Sequence, residues 1–459
     1  MFDWLRNFSL GVWAIFGLAV VSSVYLVTRP SAASSDHAFW LFARPHFQAY
    51  EPMIREWNEK NPEMRIEPLL ISLPAMERRL FSGFMSGTPM ADLFEITQNV
   101  TARLISGPAD DIGLRDLTDL LKAEGLSDAI NPPSFSPWTL RGRIYGLPHD
   151  VHPVLLTYRS DLVEAAGIDV NEIETWEDFV RIMWPLQRTG GVGGEDRYLL
   201  NMWQTNTELL PVLMLQAGGG FFDVNLRPVL DSEVNATVMA TIATWCTGPK
   251  RIAIDAPEFS ASGNVLKMRG QVVAAIMPDW LAGVWKTDMP GLAGKLKLMP
   301  LPAWTKGGRR TSVMGGTMMG FNKKASEEVF KKQWKFAQFL YRSPELAAEM
   351  FRRSTIIPPD RNLWSLPVFD EPDPYFSGQP AGRLFIDQAP NVPLRVSSPF
   401  FNGANEQSGQ ALLRLVEYAN ANGVYTVEGL LPKSRELLAV AQDQLKRQME
   451  RNVFMREDQ

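Results

Sequence analysis

Cysteine is nearly missing from this chain. Its 459 residues contain one, Cys246, which excludes an intramolecular disulfide and any thiolate metal cluster; after the apolar pattern "IATW" it reads as inert packing. Histidine is scarce, with four residues, His37, His46, His149 and His152. An excess of basic charge is absent too: 46 Lys and Arg against 51 Asp and Glu give a net charge of -5. That balance lacks the clustered basic surface nucleic acid requires. There is no G-x-S-x-G elbow; Ser82 lies in a helical pattern and Ser260 in "EFSASG" has no strand before it. "GGVGGED" (190–196) lacks the G-x-G-x-x-G order and does not join a strand to a helix, so no phosphate cradle is expected. Tandem repeats and low-complexity tracts are also lacking.

One long apolar run exists, Leu10 to Val27, preceded by Arg6 and followed by Arg29-Pro30. It sits at the lower edge of membrane-span length. "SAASS" after it offers a cleavage point between Ala33 and Ser34, so residues 1–35 read equally as a cleaved signal peptide or as a retained anchor. Either directs export, and no cysteine follows that could carry a lipid.

The length exceeds what one core sustains, so two lobes are expected. From residue 37 the pattern alternates. "HAFWLFA" reads as a buried strand, "HFQAYEPMIREWNEKNP" as a helix, "MRIEPLLI" as a strand, "PAMERRLFSGFMSG" as a helix closed by Gly87, and "ADLFEIT" as a third strand. This order predicts an α/β fold with a mainly parallel sheet flanked by helices. Further on, Thr175 and Asp178 form a capping box ahead of an apolar helix. "QVVAAIMPDW" is a strand entering a loop, Ser326 and Ser343 begin helices, and a last helix covers about 430–448.

His149-Asp150-x-His152 has the look of a metal set. Residues three apart on an extended strand face opposite ways, and no distant histidine partner is evident, so no metal or other cofactor is expected. Paired carboxylates for glycoside hydrolysis are not placed by any recognisable motif. The 14 tryptophans are more than a core needs. Trp203, Phe221, Phe222, Trp280, Trp285, Phe400 and Phe401 lie beside Gly or Pro; they read as core packing or as rings on which sugar C–H faces stack while planar polar side chains bond the hydroxyls.

The segment "GRIYGLPHDVHPVLLTYRSDLVEAAGIDVNEIETWEDF" resembles the bacterial extracellular solute-binding proteins of sugar ABC transporters, the group that includes maltodextrin-binding protein. The likeness extends through "FSGFMSGTPMADLFEI", "MRGQVVAAIMPDW", "LMPLP", "VMGGTMMGF" and "KFAQFLYRSPELAAEMFRR", in the family's order. It implies a two-lobe fold with a ligand cleft between lobes, one built from 36–153 with 308–362 and the other from 154–307 with 363–459. Residues 148–158 would be a crossing strand whose torsions absorb lobe closure.

Carried over by position, the resemblance implies that Arg44, Pro45, Glu95, His149, Asp150, Trp203, Trp280, Gly315, Gly316, Phe400 and Phe401 line the cleft, with Trp280 as the sugar platform. It implies a monomer that captures a carbohydrate, an oligosaccharide or sugar derivative, and presents it to a membrane permease without chemistry of its own. The rival expectations are a secreted carbohydrate-active enzyme and a tethered sensor for a signalling receptor. Two departures stand out: no lipobox cysteine, and "LFARPHF" in place of the family's acidic or polar contact after the first strand.

Overall fold

The computed structural model describes residues 10–28, 37–189, 196–202 and 208–452. Trp203, most of the glycine loop at 190–196 and the cleavage point at 33–34 lie outside them. The apolar N-terminal run forms a 19-residue helix, Leu10–Thr28, without an acidic or basic residue, and Ile15, Phe16, Leu18 and Val21 on it are exposed. Its side chains at 10, 12 and 24–28 are outside the described set. Among the described residues no helix is long and apolar enough to cross a membrane.

In chain order the strands are β1 (Ala38–Leu41), β2 (Glu67–Leu70), β3 (Leu93–Thr97), a hairpin of β4 (Thr139–Leu140) and β5 (Arg143–Ile144), then β6 (Leu147–Pro148), β7 (Val154–Arg159), β8 (Tyr198–Asn201), β9 (Ala253–Ile254), β10 (Val272–Pro278), β11 (Leu296–Pro300) and β12 (Thr317–Phe321). Two five-stranded sheets result, ordered β2-β1-β3-β12-β6 and β11-β7-β10-β8-β9.

Each sheet is mainly parallel, as expected: four of its five strands run in one direction and one, β12 or β7, runs against them. In the first, β1 runs parallel to β2 and β3, while β12 is antiparallel to β3 and β6. In the second, β8 is parallel to β10 and β9, while β7 is antiparallel to β10 and β11. The reversed strand, β12 or β7, is in each case the first one the chain forms after crossing from the other sheet.

Side-chain alternation explains why both faces of each sheet are covered. In the first sheet Phe39, Leu41, Leu93, Met319 and Phe321 face the helix Arg44–Lys60 and the helix Glu327–Tyr341. Trp40, Phe94, Ile96 and Met318 face the helix Leu73–Ser86 instead. That helix ends where expected, on Gly87 at φ 67, a left-handed stop that glycine adopts without a Cβ clash. In the second sheet Val154, Leu156, Tyr158 and Ile276 face one core, and Leu155, Ala275 and Met277 the other. The capping box at Thr175 and Asp178 forms with both reciprocal bonds, starting the helix Trp176–Met183.

A 22-residue helix, Phe401–Asn422, was not expected from the sequence. Its first turns, "FNGANEQSGQ", carry two glycines and two asparagines, poor helix formers. Tertiary packing overrides that preference: Leu412 and Leu415 enter the core shared with the last helix, Val427–Glu450.

Candidate functional site

The five residues between β6 and β7 carry the chain from one sheet to the other. They are not a continuous extended strand. His152 has φ 56, a left-handed conformation that costs an L-residue ~1–2 kcal/mol. The turn brings both neighbouring imidazoles onto one carboxylate: His149 Nδ1 lies 3.2 Å and His152 Nε2 3.0 Å from Asp150 Oδ2. The rule that residues three apart diverge therefore fails here, because the backbone is not extended.

His152 Nδ1 reaches Asp279 Oδ1 at 2.6 Å, at the start of the helix Asp279–Asp288. Asp279 also accepts the backbone N–H of Ile357 at 2.9 Å and of Trp280 at 2.7 Å. Asp150 accepts the backbone N–H of Thr317 at 3.1 Å. One buried ion triad thus holds the segments around 150, 279, 317 and 357 together. Burial disfavours the charged His152 imidazole, but Asp150 and Asp279 on its two nitrogens more than offset this and raise it to about 10. Burial likewise pushes the Asp150 carboxyl up, and His152 with His149 overcomes it, holding Asp150 far below the ordinary carboxylate range.

Above this triad opens a cleft of about 700 Å³, within the size of small-molecule sites. Its first wall comes from the carboxyl ends of β1 and β3, through Phe42, Pro45, His46, Gln98 and Asn99. The second comes from the end of β10 and from the helix Leu209–Gln216, through Trp280, Val284, Pro211 and Leu215. Gly315, Gly316, His152 and Arg395 close the floor. A ligand site outside the carboxyl ends of strands is the general location in α/β sheets.

The floor needs its glycines. Gly315 and Gly316 have φ 94 and φ 134, and a Cβ on Gly315 would stand 2.9 Å from Trp280 Nε1. Close approach lets Trp280 Nε1 donate to Met314 O at 2.9 Å, which fixes the indole plane. Phe259 lies parallel to that indole, with ring centroids 6.2 Å apart and an interplanar angle of 3°. It is 62% exposed at φ 56, so an apolar ring is held out at the cleft. From the C-terminal part of the chain, Arg395 reaches Gln98 Oε1 at 3.1 Å and Gly315 O; its Nε has no hydrogen-bond partner.

Of the expected site residues, Pro45, Trp280, Gly315, Gly316 and Phe401 line the cleft. Arg44 is exposed and does not line it: on the helix it begins, His46, Ala49 and Tyr50 turn inward and Arg44 outward. Glu95, fully buried at the centre of β3, lies behind His46 rather than at the surface. His149 and Asp150 are buried beneath the floor. Phe400 packs into the second-sheet core while Phe401 beside it turns to the cleft. Trp285, Phe221 and Phe222 are core residues. The expectation that no histidine partner reaches His149 is corrected as well: its ring centroid stands 4.3 Å from that of His46, across 103 positions of sequence.

The family model for bacterial extracellular solute-binding proteins matches residues 44–345, more than half of the chain. The chain belongs to this family. An arabinooligosaccharide-binding protein of Halalkalibacterium halodurans is 28% identical over 372 residues, 77% of this chain and 78% of that one. A lactose-binding protein of Rhizobium radiobacter is 24% identical over 396 residues, 82% of this chain and 87% of that one. Among solved structures, the sugar-binding protein MalE from Xanthomonas citri has a TM-score of 0.69 at 18% identity, covering 88% of this chain and 97% of that one. An ABC substrate-binding protein from Listeria monocytogenes in complex with cycloalternan has a TM-score of 0.66 at 17% identity, covering 90% and 98%. These likenesses show the two-lobe binding-protein fold.

Within this solute-binding protein, sequence reasoning missed Phe259, Gln98, Arg395 and His46 as wall and floor residues. His46 had a readable signal: together with Tyr50 it makes an i, i+4 pair on the inward face of an amphipathic helix. Phe259 had none, because its exposure depends on a left-handed backbone that "PEFSAS" does not announce.

Proposed function

We propose that the protein captures a carbohydrate, an oligosaccharide or sugar derivative, in the cleft and delivers it to the permease of an ABC transporter as a monomer. The observation that carries this reading is the parallel Trp280–Phe259 pair facing a floor of polar groups. Ring faces receive the C–H face of a sugar while Arg395, Gln98 and Asn99 can bond its hydroxyls. Relatives named for arabinooligosaccharide and lactose binding support the ligand class. Pro45, Trp280, Gly315, Gly316 and Phe401 are the proposed contacts among the expected residues. Glu95, His149, Asp150 and Phe400 serve the shape of the site instead, and Arg44 stands outside it.

The proposed lobes are residues 36–153 with 308–362 and 154–307 with 363–459, and the segments near 150, 313 and 357 are the hinge. No catalytic step is proposed for the chain; the carboxylates buried beneath the floor, Asp150 and Asp279, are spent on His152 and on backbone N–H groups. The proposed role of residues 1–35 is export, either as a cleaved leader or as a retained anchor. N-terminal sequencing of the mature protein distinguishes the two.

A thermal-shift screen of the protein against mono- and oligosaccharides, polyols and amino acids tests the ligand class. A ligand at 100 times its dissociation constant stabilises the folded state by about 2.7 kcal/mol. Stabilisation by an oligosaccharide is expected; stabilisation only by amino acids or polyols contradicts the reading.

A further inference from the structure

Behind the first wall of the cleft lies a buried group that sugar capture does not use. Among the described residues, His46, Glu95 and His149 present ligand atoms that all lie within 4.8 Å of one another. We infer that these three side chains form a site for one divalent transition metal of the Zn2+ type, reached from the cleft past His46. The inference does not depend on the carbohydrate reading.

The chemistry of the set fits. Two imidazoles and one carboxylate are a recurrent three-ligand set for zinc, with a water in the fourth position. Two of the three ligands are already oriented by a group outside the set. Tyr50 and Tyr341 both donate hydroxyl hydrogen bonds to Glu95 Oε1, which leaves Oε2, now 2.9 Å from His46 Nδ1. Asp150 takes His149 Nδ1, so Nε2 is the free donor; a carboxylate behind a metal-binding histidine is the usual outer-shell arrangement. His46 itself lines the cleft, which supplies an entry path.

The two rings stand with centroids 4.3 Å apart and planes 35° from parallel, each beside a carboxylate, Glu95 for His46 and Asp150 for His149.

The test is titration of the chelator-stripped full-length protein with Zn2+ by calorimetry and with Co2+ by visible absorption. One ion per chain is expected, bound in the micromolar range or tighter, with the intense Co2+ band of a four- or five-coordinate site. Glu95→Gln and His149→Asn should abolish it. Asp150→Asn should weaken it by about 10- to 100-fold, and His37→Ala should leave it unchanged. Near-UV circular dichroism checks that each variant is folded, and the wild-type Co2+ spectrum remains decisive if one is not. No saturable uptake below the millimolar range, a weak octahedral Co2+ spectrum, or binding that survives His149→Asn in a folded protein would each overturn the inference.

Discussion

The two walls of the cleft are built on opposite plans. The first hides its charge: Glu95 sits under His46, held by Tyr50 and Tyr341, and the surface left facing the cleft is Phe42, Pro45 and amide side chains. The second displays its rings: Trp280 is half-buried and pinned by Met314 O, and Phe259 is thrust outward beside it. The difference separates two jobs that the sequence mixes. Polar residues near residue 150 hold chain segments in place, and aromatic residues from distant loops make the contact surface. Between them the His152 triad joins both walls, so its loss affects each.

That comparison orders the experiments. The largest effect is expected from His152→Gln, which leaves Asp150 and Asp279 buried without their shared cation. Breaking a buried pair in this way costs about 3–5 kcal/mol, measured as a fall in the urea midpoint. The pH dependence carries a sign. Because the folded protein holds the His152 proton up to about 10, the stability it contributes is complete below the unfolded value of about 6.5 and is lost as pH rises from there. Wild-type melting temperature should fall between neutral pH and pH 10, and the variant should lose that slope; equal slopes would remove the triad from the account.

Next in size, Trp280→Ala should weaken carbohydrate binding by roughly 1–3 kcal/mol if the ring is a central anchor. Calorimetric affinity that does not change in a folded variant ends its role as platform. Gly315→Ala strains the backbone at φ 94 and presses on the indole, at about 1–3 kcal/mol of stability, with ligand affinity falling alongside. Phe259→Ala should lower affinity by ~0.5–1.5 kcal/mol and leave the melting temperature nearly unmoved, since the ring is mostly exposed. Arg44→Ala, on the exposed side of its helix, should stay within about 0.5 kcal/mol for stability and leave affinity unaltered. A large loss there would restore the positional expectation and undo the contrast between the walls.

Much of the fold was readable because periodicity reports burial. The strand and helix alternation from residue 37 to 97, the capping box at Thr175 and the helix starts at Ser326 and Ser343 each depend on neighbours within a few residues. What stayed hidden is non-local. Nothing in "ARPHF" and "PHDVHP" says that His46 and His149 meet, because the sheet that joins them closes only when β12 pairs with β3 and β6. The left-handed turn at His152 cannot be read from a histidine before proline, whose preference is extended, and it decided the geometry of the whole floor. Likewise helix propensity gave no sign of the helix at 401–422, where packing on the last helix governs. Trp280 was reached through the family resemblance, which "MPDW" at the end of a buried strand helps to align; Arg395, in an irregular proline-containing stretch, had no such frame.

The cleft is proposed to bind a carbohydrate and to release it intact. Titration calorimetry of the wild-type protein with a panel of oligosaccharides, followed by mass analysis of the recovered sugar, addresses both halves at once. Saturable binding of one sugar per chain, recovered intact and weakened in Trp280→Ala, is the predicted result. Binding to no oligosaccharide, or recovery of a cleaved product, would contradict it.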